Sequence, residues 1–159
     1  PMPYDLALVI RATIEETVAA FFTDNLGIVA GPSIVKKKDE PYKPPQSDVT
    51  AIVGFSGSMQ GGVHLSAPMH AAMGLAVAFS GKSLLEFDDI GKDAFGELAN
   101  IIAGAVKGQI GEQINLMSPQ VVTGNDYDIS YTKTLESTKC YFRTDNGPFF
   151  VEVFFARMD

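Results

Sequence analysis

Apolar side chains at positions 6, 9, 10, 14, 18, 21 and 22 recur at three- and four-residue spacing, with charges at 11, 15 and 16 opposite them. That is the pattern of an amphipathic helix over residues 5–24. Next, Gly31, Pro32, Pro41, Pro44 and Pro45 interrupt any period around a lysine run, so this stretch reads as a connection with at most an irregular edge segment. Then "VTAIVGFSG" and "GGVHLSAP" are apolar, β-branched runs separated by "SMQG", the composition of a β-hairpin. Pro68 opens an alanine-rich helix, "PMHAAMGLAVAFSG", with Gly81 as its stop. A third helix follows in "DDIGKDAFGELANIIAGAVKGQIGEQ", capped by Asp88 or Asp89 and apolar at 94, 98, 101, 102, 105 and 106.

The last third has a different rhythm. "INLMSPQVVTG", "STKCYFRTD" and "PFFVEVFFARM" alternate or run apolar, and "DNG" at 145–147 is a hairpin turn between the last two. In the final run both alternating sets are apolar, so the strand needs cover on both sides, from helices and another layer or from a second copy. The order is helix, two strands, two helices, three strands. This predicts an α+β fold in which long helices pack on a mostly antiparallel sheet.

Composition narrows the picture. With 46% hydrophobic residues in 159, the chain can bury one continuous core, and one domain over 1–159 is expected. Twelve basic against nineteen acidic residues give a net charge of −7, which disfavours nucleic acid and anionic membranes as partners. The single cysteine allows no internal disulfide and suits a reducing compartment, so a cytoplasmic location is expected. No apolar run reaches the roughly 18 to 20 residues that cross a bilayer, and "PMPYDLALVIR" lacks the basic region of a signal peptide.

Most chemistry-bearing residues read as ordinary. His64 and His70 have no Cys, Asp or Glu between them at ligand spacing, so no metal site is expected. Cys140 sits in an apolar strand, where a lone cysteine packs as a small hydrophobe. "GFSGSMQGG" has neither a Walker lysine nor the strand-to-helix context of a nucleophile elbow, and reads as turn chemistry. Lysines 36–38 are answered by Asp39 and Glu40 in a solvated connection.

"DAFGELAN" is different. On a helix, Asp93, Glu97 and Asn100 fall within an arc of about 60°, separated by rises of about 6 and 4.5 Å. Such residues commonly just keep a helix face soluble. Asn, however, is a below-average helix former, and the same face continues through Gly104 and Gly108, each costing roughly 1 kcal/mol relative to Ala. A carboxylate, a carboxamide and then bare backbone would let another surface come close.

This segment resembles the Asp/Ser-x-x-x-Glu-x-x-Asn signature of the CheC, CheX and FliY phosphatases of bacterial chemotaxis, with Pro119 in the place of the proline further on. The stretch from Asn100 to Pro119 is shorter than in the usual CheC pattern. CheC proteins usually carry the signature twice. Here Glu15 and Glu16 are followed three positions later by Val18 and Ala19, so there is one copy, as in CheX. The resemblance implies hydrolysis of the aspartyl phosphate on a CheY-like receiver domain without a covalent intermediate. Asn100 would position the attacking water and Glu97 would engage the receiver lysine. Asp93 would be auxiliary in partner binding, and Gly104 would give clearance for the partner. It further implies Mg²⁺ on the receiver, no cofactor held by this chain, and a homodimer. Two competing expectations are a non-catalytic receiver-binding module and a dimerisation domain built on the apolar last strands.

Overall fold

A computed structural model describes residues 5–24, 31–32, 47–110, 113–124 and 136–157. The helices are α1 (Leu6–Asp24), α2 (Met69–Ser80) and α3 (Asp89–Ile110). The strands are β1 (Gly31–Pro32), β2 (Val49–Gly57), β3 (Met59–Ala67), β4 (Ile114–Leu116), β5 (Gln120–Thr123), β6 (Glu136–Thr144) and β7 (Gly147–Arg157). They form one antiparallel sheet in the order β1-β6-β7-β3-β2-β4, with β5 also on β2. This is the expected α+β architecture. The lysine run at 36–38 lies outside the described residues.

Alternation along the strands selects the face that the helices cover. Val49, Ala51, Val53 and Phe55 of β2 join Val63, Leu65 and Ala67 of β3 and Phe149, Val151, Val153 and Phe155 of β7 in one buried layer. Against it α1 buries Leu6, Ile10, Ile14, Val18 and Phe22, four residues apart as the period predicted. Each such fully buried side chain contributes about 1.5 to 3 kcal/mol. Phe22 meets Phe149 edge-on at 5.5 Å, and Phe149 stacks on Phe142 at 5.1 Å. The Thr138 hydroxyl donates to the Ala7 carbonyl at 3.2 Å, tying β6 to α1.

The opposite sheet face is more polar. Thr50 and Ser66 share a 3.0 Å hydrogen bond there, and Lys139 pairs with Glu152 at 3.9 Å beneath Phe150. Phe150 is 6% exposed, so β7 is buried on both sides over that stretch, as its doubly apolar pattern requires.

Two details differ from the sequence expectation. The hairpin is tighter than "SMQG": only Ser58 separates β2 from β3, because Gly57 adopts a φ of 124° that other residues avoid. The expected strand over "INLMSPQVVTG" is two short strands. Its register against β2 shifts by one residue between Leu116 and Gln120, where Pro119 has no N–H to give the ladder. The helix stops behave as read. Gly81 closes α2 in the left-handed region and donates its N–H to the Val77 carbonyl at 2.9 Å. No described helix is long and apolar enough to cross a membrane.

Candidate functional site

The polar segment lies on α3, and capping fixes where that helix begins. The Asp88 carboxylate accepts the N–H groups of Ile90 and Gly91 at 3.1 and 3.2 Å, leaving Asp89 as the first helical residue. Phe87, just before the cap, meets Phe95 edge-on at 6.0 Å and packs the entry of the chain against the second turn. Ala94, Phe95, Leu98, Ala99, Ile102, Ala103, Val106 and Ile110 then bury one side against α1, α2 and the sheet. With that side fixed, the rotation of the helix is fixed too.

The opposite side presents the residues singled out above. Asp93 and Glu97 are exposed, Asn100 is half-buried, and Gly104 and Gly108 are exposed. Among the described residues, none of the Asp93, Glu97 and Asn100 side chains makes a hydrogen bond or ion pair. A Cβ at Gly104 or Gly108 would have nothing within 4 Å, so the chain's own packing does not require glycine at either position.

Pro119 is brought to the same place. A Cβ at Gly96 would lie 3.4 Å from Val121 and 3.5 Å from Pro119, so the break between β4 and β5 rests directly on the helix. Between them runs an open groove of about 570 Å³, which Asp93 and Glu97 line together with Asp89, Lys92, Gly96, Pro119 and Val121. Asn100 and Gly104 lie beyond it along the helix. Asp89 and Lys92 were not anticipated as part of this surface. Asp89 had a signal, since it stands four residues before Asp93. Val121 had none, because only the sheet pairing brings it here.

The other candidates are packed away or alone. His64 is buried against the Phe154 ring at 5.0 Å, and its pKa falls from 6.5 to about 4, through desolvation first and then the nearby Lys139 charge. Cys140 is buried, and its thiol is pushed up to about 12, mainly by desolvation. His70 is exposed at the start of α2. Among the described residues no three His, Cys, Asp or Glu side chains gather as metal ligands.

The exposed carboxylate, the carboxamide one turn later and the bare helix beyond have the hydrogen-bonding capacity to engage a second molecule. Residues 49–143 match the family described as Chemotaxis phosphatase CheX. The chain belongs to the CheX family. Solved CheX structures share its fold. CheX from Vibrio vulnificus is 17% identical with a TM-score of 0.74, over 98% of this chain and 99% of that one. CheX from Desulfovibrio desulfuricans is 23% identical with a TM-score of 0.70, over 98% and 100%. The Borrelia burgdorferi CheX-CheY-BeF3-Mg²⁺ complex matches with 20% identity and a TM-score of 0.72, over 96% and 99%. No curated protein matches in sequence. Of the residues singled out in the sequence, Glu97 and Asn100 share the exposed side of α3, and Pro119 stands beside its first turns.

Proposed function

We propose that this CheX-family chain accelerates hydrolysis of the aspartyl phosphate on a CheY-like receiver domain, with Asn100 positioning the water and Glu97 docking on the receiver lysine. The observation that carries the reading is the pairing of an exposed carboxylate and an unengaged carboxamide, three residues apart on the exposed side of a rigidly packed helix. The Borrelia CheX is solved in complex with CheY, beryllofluoride and Mg²⁺. Beryllofluoride stands in for the phosphoryl group, so that complex supports a receiver as the partner and Mg²⁺ as the receiver's ion.

The chemistry asks little of the helper. An acyl phosphate is already labile; water attacks phosphorus in line, the bond to the aspartate oxygen breaks, and carboxylate and inorganic phosphate separate. Holding that water in line removes the entropy of finding it. A neutral amide suits the task, because its oxygen accepts a water hydrogen and its NH₂ donates to a phosphoryl oxygen without adding negative charge. The Glu97 carboxylate, about 4.5 Å along the axis, gives a charge-assisted hydrogen bond to an ammonium and fixes the register. Asp93 adds a second contact on the same side, and the bare surface at Gly104 lets the receiver approach. The homodimer implied by the resemblance belongs to the same proposal, and sedimentation of the purified chain tests it.

The deciding experiment is phosphate release from phosphorylated CheY-like receivers with and without the chain. Asn100→Ala should lower the acceleration by roughly 100-fold, in the range of losing one aligned polar group at a reacting centre. Its thermal midpoint should be unchanged or slightly higher, since Ala is the better helix former. Wild-type rates in that variant would rule out water positioning by Asn100.

A further inference from the structure

Asn100 stands between two grooves whose described linings are opposite in charge. The first, on its N-terminal side, holds the Asp89, Asp93 and Glu97 carboxylates against a single ammonium from Lys92, over an apolar wall of Pro119 and Val121. The second, about 580 Å³, lies where the far end of α3 faces β4 and the β2–β3 turn. Among the described residues its one charged group is Lys107, beside Ser58, Gln113 and Asn115. At 100° per residue, Asp89, Asp93, Asn100 and Lys107 fall within an arc of about 40°, so acid, amide and base follow one another along a single edge of the helix. Asn100 is about 16 Å along the axis from Asp89 and about 10 Å from Lys107.

An acid in the first turn and a lysine in the last also complement the helix dipole, which accounts for Asp89 and Lys107 as stabilising charges. It does not account for Asp93 and Glu97, which lie beyond the first turn, nor for a groove beside each set. We infer that the two grooves fix the direction in which a receiver lies along α3. The acidic groove takes a basic side chain of the receiver near its active-site lysine, and the Lys107 groove takes a carboxylate on the far side of the phosphoryl group. A receiver turned end for end meets like charge at both ends, so the arrangement selects orientation as well as partner. The inference rests on the receiver reading above, with Glu97 as the shared residue that lines the first groove and engages the receiver lysine.

The test measures binding of CheY-like receivers loaded with beryllofluoride and Mg²⁺ to wild type, Asp89→Lys, Lys107→Glu and the double variant, at low and high salt. Glu16→Lys, an exposed reversal on α1, controls for the change in net charge. Thermal midpoints of all variants separate folding losses from docking losses, and Asp89→Asn stands in if the lysine variant does not fold. Each groove reversal should raise Kd roughly 5-fold at low salt, and the difference should shrink as salt screens it. If both reversals leave Kd within twofold of wild type, or change it no more than Glu16→Lys does, the orientation proposal is overturned. Failure of the underlying reading looks different: the wild type itself then neither binds nor dephosphorylates any receiver, which overturns both.

Discussion

Glu97 and Asn100 sit one helical step apart, and the proposed function gives them separable roles. On that proposal, truncating the carboxylate would remove a charge-assisted contact to the receiver, and such contacts act on association before chemistry. Glu97→Ala should therefore raise the receiver concentration needed for half-maximal phosphate release by about tenfold, with a smaller change in the maximal rate. Equal KM values in variant and wild type would remove Glu97 from docking. The asparagine was legible in the sequence because it is out of place: a mediocre helix former within an otherwise good helix has to be held by something other than propensity. Asp89 and Lys92 were not legible in the same way. Charged residues near a helix start have an ordinary explanation, and the proline wall that gives them a groove comes from a segment more than twenty residues away.

At the level of α3, two glycines on the exposed face have no internal reason to be glycines. A methyl group at Gly104 meets nothing within 4 Å, so Gly104→Ala should raise the unfolding free energy by about 0.5 to 1 kcal/mol. If the bare surface serves a docked receiver, the same change should weaken receiver binding. A stabilised variant with intact binding would show that the clearance is unused. The elements themselves followed from periodicity and punctuation, down to the Gly81 stop and a cap at Asp88 or Asp89, of which the structure uses Asp88. The exceptions were the tighter β2–β3 turn and, more consequentially, the region around Pro119. Apolar spacing there looked continuous, and the one-residue shift in register is a property of pairing with β2 that a one-dimensional pattern does not carry.

For the whole molecule, the sheet face away from the helices couples stability to pH. His64 and Glu152 are register partners on adjacent strands, with Lys139 next to Glu152. Between pH 6.5 and about 4 the unfolded chain binds a proton at His64 that the folded chain refuses, so this contribution is complete above 6.5 and is lost as pH falls to 4. Its ceiling is about 3 kcal/mol. Glu152 acts in the opposite sense. Burial raises its pKa against the pull of Lys139, so its contribution is present below 4.5 and fades as pH rises through the raised value. Urea unfolding from pH 7 to 4 should show wild type losing stability relative to His64→Phe, and parallel curves would contradict it. The sequence placed His64 in a strand, but only the sheet order sets it beside an acid and a base.

The interrupted strand at the end of the sheet has a consequence for life at high concentration. An edge of unpaired N–H and C=O groups is a template on which further chains can stack without limit. Here that edge is broken into stretches of three and four residues by a proline, with the register shifted between them. Among the described residues no straight row longer than four remains on this border, so the kink that walls the groove also makes the edge a poor template for a foreign strand.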